Sequence, residues 1–278
     1  MAKKNQSSRL TIQQENISGA TGIFGKEAIE HDAKVGEIAY EVLEYLQKEY
    51  PTLEFRHRKT IAKIEINQKL QQIDSDLGKT LFLKKATIKP DGGILEVKDD
   101  CGNWRVILVS EAKYQGKDIE NIKKGKLVGK KKSDDLMDAG NAIERSHKNI
   151  AEIANFMLLE LHFPYVLFLQ GTNFLTETIK VERPDGRVVT LSYDSGKLNR
   201  LDRLTASNYG MPINTNLCVN KFIHNKDKNV MLQAASIYTQ GNGDKWKRND
   251  MLSIMLEIAH TSLKVLGSDL FDHLTAKK

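Results

Sequence analysis

The sequence predicts an α/β fold, and three observations support this. Two strands, at 94–98 and 104–113, flank the run Asp-Asp-Cys-Gly-Asn, whose composition is that of a hairpin turn. A long amphipathic helix follows, with apolar residues three, four or seven apart over 136–161. A short apolar strand at 165–170 comes directly after Pro164. The order strand, helix, strand normally produces a parallel crossover, and the apolar stretch 106–109 suits a central strand.

The remaining elements have simpler signals. Apolar residues three and four apart over 24–50 predict an amphipathic helix or a broken pair of helices, which Pro51 ends. Ser133 is the expected N-cap of the long helix, with two acidic residues in its first turn. Further predicted elements are a helix at 60–73, a hairpin at 176–193 around Pro184-Asp185-Gly186 and a helix at 249–265.

Length and composition predict one folded domain. The chain has 278 residues, 40% of them hydrophobic, and no shift in composition marks a second domain, so residues 1–278 are treated as one unit with a mobile basic arm at about 1–15. The longest apolar runs are far shorter than the roughly 20 residues of a transmembrane helix. No signal peptide is recognised, so we expect a cytoplasmic protein whose two cysteines are reduced thiols.

Positive charge is concentrated in one segment. The net charge is +6, and the stretch 113–132 alone contains eight lysines against Asp118 and Glu120. A solvated lysine face explains most such runs. The alternative is a surface that contacts a polyanion, since clustered cations release counterions when they bind phosphates.

Three charged residues form a candidate catalytic set. Glu111 and Lys113 are two apart on one strand and therefore point to the same side, which Val109 and Ile107 share. If the hairpin is centred on Cys101, Asp91 lies directly opposite Glu111. Two facing carboxylates repel one another unless a cation lies between them. The pattern therefore predicts a divalent cation site for phosphodiester hydrolysis, with Lys113 orienting water or stabilising charge on the phosphate.

The alternative to this site is a charged surface hairpin. Pro-Asp-Gly is a common turn sequence, and the chain uses it again at Pro184-Asp185-Gly186. That second copy is not followed by Glu-x-Lys at the end of an apolar strand. The motif at Asp91 is therefore distinguished by the strand that ends in Glu111, Ala112 and Lys113.

A polar stripe on the long helix is a candidate for DNA contact. It contains Asp138, Asn141, Arg145 and Lys148, and Asn and Arg are suited to bidentate contacts with adenine and guanine. A solvent-exposed face with an ion pair is the alternative. The basic run 199–203 has the same two interpretations.

Several other sites are not indicated. The histidines lack His-x-x-x-His spacing, so a zinc hydrolase is not expected. The chain has neither a phosphate-binding Gly-x-x-x-x-Gly-Lys-Ser/Thr loop nor a Gly-x-Ser-x-Gly elbow, and no nucleotide cofactor is expected.

Longer strings carry a family resemblance. The chain contains IKPDGG, SEAK, QGKDI, AGNAIERSHKNI, EIANFML, NRLDRLTA, NYGMPIN and MLQAASIYTQG. In these it resembles the EcoRI-type restriction endonucleases, a family of the PD-(D/E)xK superfamily, over nearly its whole length. The resemblance implies a central five-stranded mixed sheet between helices and a homodimer. It also implies Mg²⁺-dependent cleavage of both strands of double-stranded DNA at GAATTC, with staggered 5′-phosphate ends.

The resemblance also implies roles for individual residues. Asp91, Glu111 and the Ala112 carbonyl would bind the metal, and Lys113 would assist the attacking water. The implied DNA-contacting segments are about 114–148 and 171–210. The implied DNA-binding residues are Met137, Asp138, Asn141, Ala142, Glu144, Arg145, Arg200 and Arg203, and the phosphate-facing lysines are Lys117, Lys130 and Lys148.

Two positions depart from the family pattern. Tyr114 stands where the family has His, and Asp138 stands where it has Ala. Asp138 would either accept a hydrogen bond from cytosine N4 at the outer G·C pair or repel a phosphate there. The first outcome sharpens selection of that pair and the second relaxes it.

Two alternative functions use the same residues. A less specific PD-(D/E)xK nuclease, acting in repair or on junctions, would share the catalytic set. A DNA-binding protein without catalysis would use only the lysine-rich segment and the polar stripe.

Overall fold

A computed structural model describes residues 26–79, 85–127, 141–192 and 214–267. The helices in this part of the chain are α1 (Lys26–Glu49), α2 (Lys63–Ile73), α3 (Asp118–Lys123), α4 (Asn141–Phe156) and α5 (Arg248–Val265). None of the helices in these ranges is long and apolar enough to span a membrane.

A five-stranded mixed sheet forms the centre, as expected. Its strands are β1 (Phe55–Arg58), β4 (Gly93–Lys98), β5 (Trp104–Tyr114), β6 (Tyr165–Gln170) and β11 (Ser236–Thr239), in that spatial order. Strand β4 runs antiparallel to both of its neighbours, β1 and β5, whereas β5, β6 and β11 run parallel to one another. The predicted parallel crossover between β5 and β6 is therefore confirmed.

Three two-stranded ladders surround the sheet. Their strands are β2 (Ile61–Ala62) with β3 (Thr87–Ile88), β7 (Ile179–Glu182) with β8 (Val188–Leu191), and β9 (Lys221–Asn225) with β10 (Lys228–Leu232). The β7–β8 pair confirms the hairpin predicted around Pro184-Asp185-Gly186.

Helices cover both faces of the sheet and make a three-layer core. On one face α1 and α5 bury residues such as Ile38 and Met255 against Leu108 of β5. On the other face α2 and α4 bury residues such as Ile153 against Val109. Strands buried on both sides read as continuous apolar runs, which is why β5 and β6 show little polar alternation.

The predicted helices at 24–50, 60–73 and 249–265 correspond to α1, α2 and α5 within a few residues. Strand β1 was missed because four residues containing two arginines and a histidine do not form an apolar run. The apolar spacing over 136–161 predicted a helix with one buried face as far as Leu161, and the structure contradicts the last part of this prediction. Helix α4 ends at Phe156, and Leu161 is 64% exposed in the following turn. The predicted arm at about 1–15 and the cap at Ser133 lie outside the described residues.

Candidate catalytic and DNA-binding site

The candidate catalytic residues lie at the end of β5, where this strand extends beyond its antiparallel neighbour β4. Strand β4 starts at Gly93, opposite Ser110, so the next residues of β5 have no strand partner on that side. On the other side they pair with β6, where Ala112 lies opposite Phe168. The main-chain N–H of Ala112 is instead satisfied by the side chain of Asp91, whose Oδ2 accepts it at 3.1 Å.

The turn that carries Asp91 needs its two glycines. Gly93 has φ +75°, and a Cβ there would lie 2.4 Å from Nε2 of His57, which donates a hydrogen bond to the Gly92 carbonyl. A Cβ on Gly92 would lie 2.0 Å from Oγ of Ser110. The second Pro-Asp-Gly differs, because nothing lies within 4 Å of a Cβ on Gly186. The first copy is a packed turn, and the second is an open one.

The predicted hairpin register is only partly right. Near the turn it holds, with Val97 opposite Arg105, but a β-bulge after Leu95 shifts the pairing by one residue. The extra residue is Ile107, which packs with Leu108 in the α1 and α5 layer, so the prediction that Ile107 shares a face with Glu111 is wrong. Asp91 is likewise not directly opposite Glu111; it precedes β4 and reaches the site from the turn.

The ammonium group of Lys113 lies at the centre of the site. Its Nζ is 2.8 Å from Oδ2 of Asp91, 2.6 Å from Oε1 of Glu111 and 2.6 Å from the carbonyl oxygen of Ala112. Burial lowers the pKa of Lys113, but the carboxylates of Glu111 and Asp91 outweigh that effect and hold it above its ordinary value. The structure thus brings together all four positions that sequence reasoning grouped.

Two residues that sequence reasoning missed hold Glu111. Its side chain is only 1% exposed. Asn149 Nδ2 donates to both Glu111 oxygens, at 2.8 and 3.0 Å, and the hydroxyl of Tyr165 donates to Oε2 at 3.0 Å. Burial raises the pKa of Glu111, with Lys113 opposing and Asp91 reinforcing that effect. Asn149 had one weak sequence signal: it lies four residues after Arg145, next to Lys148 of the predicted polar stripe, but it was not included in that stripe.

A further acidic residue, Asp32, approaches the site from α1. One turn later on the same side of α1, Gly36 lies against the turn, since its Cβ would be 3.4 Å from the carbonyl oxygen of Asp91. Burial, reinforced by Asp91 and Glu111, raises the pKa of Asp32 to about 7. Its neighbour His31 anchors the helix by donating a hydrogen bond of 3.0 Å to the carbonyl of Phe168. Neither residue had a sequence signal beyond its place on an amphipathic helix.

The donor set fits a hard divalent cation. Asp91, Glu111 and the Ala112 carbonyl supply the oxygen ligands that Mg²⁺ and Ca²⁺ prefer, and all three already surround one positive centre, the Lys113 ammonium. Two carboxylates against one ammonium leave the site with net negative charge. In the described part of the chain, no group of three or more His, Cys, Asp or Glu side chains is placed to hold a metal ion. Two carboxylates with a main-chain carbonyl are therefore the donors available.

Helix α4 runs beside this site. It contains Asn141, Ala142, Glu144, Arg145 and Lys148, of which Arg145 and Lys148 are exposed. The side chains of the first three are not described. Met137, Asp138, Lys130, Arg200 and Arg203 lie outside the described residues.

Lys117, predicted to face phosphate, already has a partner. It lies just after β5, is largely buried, and forms an ion pair with Glu27 of α1. The pKa of Glu27 is lowered chiefly by this hydrogen bond. Contact between Lys117 and a phosphate would therefore require it to leave Glu27 or to share its hydrogens between the two.

A mixed sheet with two acidic residues, a lysine and a main-chain carbonyl at the end of a central strand defines a nuclease of the PD-(D/E)xK type. Comparison with known proteins then identifies the family. Residues 17–273 match the family model described as Restriction endonuclease EcoRI, and the chain belongs to that family.

Two relatives support the same assignment. The type II restriction enzyme EcoRI of Escherichia coli is 64% identical over 277 residues, covering 100% of both chains. The type II restriction enzyme RsrI of Cereibacter sphaeroides is 50% identical over 267 residues, covering 96% of both chains. The protein is thus a type II restriction endonuclease, an enzyme class that acts on double-stranded DNA and generally needs a divalent metal ion.

Proposed function

We propose that the protein is a Mg²⁺-dependent homodimeric endonuclease that cleaves both strands of GAATTC in cytoplasmic DNA and leaves staggered 5′-phosphate ends. The observation that carries the catalytic part is the convergence of Asp91, Glu111 and the Ala112 carbonyl on one positive centre. The target and the dimer are supported by the family resemblance. Two-fold symmetry fits a palindrome, because one surface used twice reads two inverted half-sites.

In this proposal Asp91, Glu111 and the carbonyl of Ala112 hold the cation. Bound Mg²⁺ supplies Lewis-acid polarisation of the scissile phosphate. A water molecule attacks phosphorus, the bond to the 3′ oxygen breaks, and that oxygen leaves with a proton, so the phosphate stays on the 5′ end. Lys113 donates hydrogen bonds to the attacking water or to the phosphate oxygen where charge accumulates.

Recognition is assigned to the segments about 114–148 and 171–210. Support comes from the position of α4, which carries the predicted stripe and contacts the catalytic centre through Asn149. The proposed base-contacting and dimer-bracing residues are Met137, Asp138, Asn141, Ala142, Glu144, Arg145, Arg200 and Arg203, with Lys117, Lys130 and Lys148 facing phosphates.

Mapping cut ends on a library of random duplexes tests the whole proposal. Purified protein with Mg²⁺ should produce staggered ends with 5′-phosphates at GAATTC, and chelation should abolish cutting. The variant Glu111→Gln should bind the duplex but not cut it. Ends without a shared sequence would contradict the specific target and favour a less specific nuclease. Sedimentation of the protein with one GAATTC duplex tests the dimer, for which two chains per duplex are expected.

A further inference from the structure

Three side chains from three elements hold the carboxylate of Glu111. Lys113 comes from the same strand, Tyr165 from the start of β6, and Asn149 from the middle of α4. A carboxylate this deeply buried needs such donors, because an unpaired buried charge is costly. The three donors therefore set the direction in which the Glu111 oxygens face.

The two neutral donors, Tyr165 and Asn149, belong to different elements of the fold. Tyr165 is fully buried and sits in the central sheet, where it lies opposite Val109 of the neighbouring strand β5. Its hydroxyl should keep the same place whatever binds outside. Asn149 belongs to α4, the helix that carries the proposed base-contacting residues.

The spacing of residues along α4 connects the proposed base recognition with the cation site at Glu111. Asn141, Arg145 and Asn149 are four residues apart, so they follow one side of the helix, and the first is about 12 Å from the last at 1.5 Å per residue. The helix is anchored in the core through Ile150 and Ile153. A helix of this length moves as a rigid unit, so a shift at Asn141 is transmitted to Asn149.

We propose that Asn149 and Tyr165 are positioning residues for Glu111, and that Asn149 links the orientation of this carboxylate to the seating of α4 on the correct base sequence. The inference rests on the proposed function and adds to it a physical connection between reading the sequence and building the cation site. Tyr165 supplies the constant part of the arrangement. Asn149 supplies the part that depends on the DNA.

Calcium binding tests the link without relying on cleavage. Ca²⁺ affinity is measured by titration calorimetry in the presence of a GAATTC duplex and of a duplex with one base pair changed. Both duplexes supply the same phosphates, so their difference isolates the effect of recognition. Because the coupling is reciprocal, the wild-type protein should bind Ca²⁺ more tightly, by about tenfold, with the correct duplex.

The two positioning residues should respond differently. Tyr165→Phe should weaken Ca²⁺ binding with both duplexes by a similar factor and keep their ratio. Asn149→Ala should reduce the ratio to near one. Asn155→Ala, an exposed change on the same helix outside the proposed recognition segments, should leave the ratio as in the wild type. In single-turnover cleavage at saturating protein, Asn149→Ala and Tyr165→Phe should each lower the rate by about tenfold, and Asn149→Ser, a second small replacement, should behave as Asn149→Ala.

Each result bears on a different claim. Full retention of the calcium ratio in folded Asn149→Ala would overturn the proposed link, and so would weaker DNA binding with an unchanged cleavage rate, since that would make Asn149 a DNA contact only. Unfolding curves confirm that the variants compared are folded. A wild-type protein that cuts DNA at another sequence would contradict the GAATTC target, and the same titrations on that sequence would still decide the role of Asn149.

Discussion

The ammonium nitrogen of Lys113 lies 2.8 Å from Oδ2 of Asp91, although 22 positions separate the two residues. It also contacts Glu111 and the Ala112 carbonyl, so it occupies the place that the oxygen donors would offer to a cation. The lysine neutralises part of the repulsion between the two carboxylates. A divalent cation bound by all three donors must compete with it.

Replacing Lys113 by Met should therefore have two opposite effects in the absence of DNA. The free energy of unfolding should fall, because the two carboxylates lose their shared partner, and affinity for Ca²⁺ should rise by about tenfold, or about 1.4 kcal/mol. Thermal unfolding and calorimetry with and without Ca²⁺ measure both. Lys123→Met, an exposed change on α3, is the control. Weaker Ca²⁺ binding in Lys113→Met would show that the lysine supports the cation instead of competing with it.

The carboxyl group of Asp32 should make stability depend on pH. Its pKa is raised to about 7 from 3.8, first by burial and then by Asp91 and Glu111, with Lys113 opposing. Between these pH values the folded protein keeps a proton that the unfolded chain has released. The free energy of unfolding therefore falls as pH rises through this window, and the stability present below it is lost above about pH 7.

Asp32→Asn removes this titration. The variant should be more stable than the wild type at pH 8, by on the order of 2 kcal/mol once partial exposure is allowed for, and the two should converge near pH 4. Urea unfolding across this range measures it, with Asp100→Asn in the exposed β4–β5 turn as the control. If the free energy of unfolding depended on pH in the same way in the wild type and in Asp32→Asn, the raised pKa of Asp32 would be ruled out.

The two Pro-Asp-Gly turns each have one glycine with positive φ, which is Gly93, directly after the first tripeptide, and Gly186, within the second. Gly93 and Gly186 have φ of +75° and +80°, so alanine is strained at both. Only at Gly93 does the new methyl group also meet His57. Gly93→Ala should cost about 3 kcal/mol and Gly186→Ala about 1 kcal/mol in urea unfolding. Gly93→Ala should also reduce cleavage because it displaces Asp91, and equal costs at the two positions would contradict the packed turn.

Glu27 should control how strongly Lys117 binds DNA. Glu27→Gln removes the nearest carboxylate partner of Lys117, leaving Glu120 at 3.9 Å, and adds a net positive charge at the same place. If Lys117 contacts phosphate, non-specific DNA affinity should rise by about threefold, and the slope of log affinity against log salt should steepen by about one. Fluorescence anisotropy at several salt concentrations measures this. Glu30→Gln, on the exposed side of the same helix, adds the same charge without freeing Lys117. An equal effect of both changes would show that only net charge matters.

The strands and helices were predictable where a single residue pattern spans a whole element. The apolar run of β6, the spacing of α1 and α5 and the turn between β4 and β5 are visible in consecutive residues. Strand β1 was not, because its charged residues are stabilised by partners elsewhere, as Arg56 and Arg58 are by Glu96 of β4.

The candidate site was likewise predictable only in part from the sequence. Glu111, Ala112 and Lys113 were found from one strand, and Asp91 from the turn before it, although the register used to join them was wrong after the bulge at Ile107. A bulge has no reliable pattern in one strand alone, since it is set by what packs on each face of the sheet.

The chain therefore carries its chemistry in a short local motif, whereas the assembly of that motif depends on packing between distant segments. The family strings and the end of β5 were enough to predict a nuclease. The interactions of Asn149, Tyr165 and Asp32 with the catalytic residues were not foreseeable. Asn149 and Tyr165 are 38 and 54 positions from Glu111, and Asp32 is about 60 to 80 positions from Asp91 and Glu111. Such contacts arise only when α1, α4 and β6 pack against β5, since burial brings together side chains that no local periodicity relates.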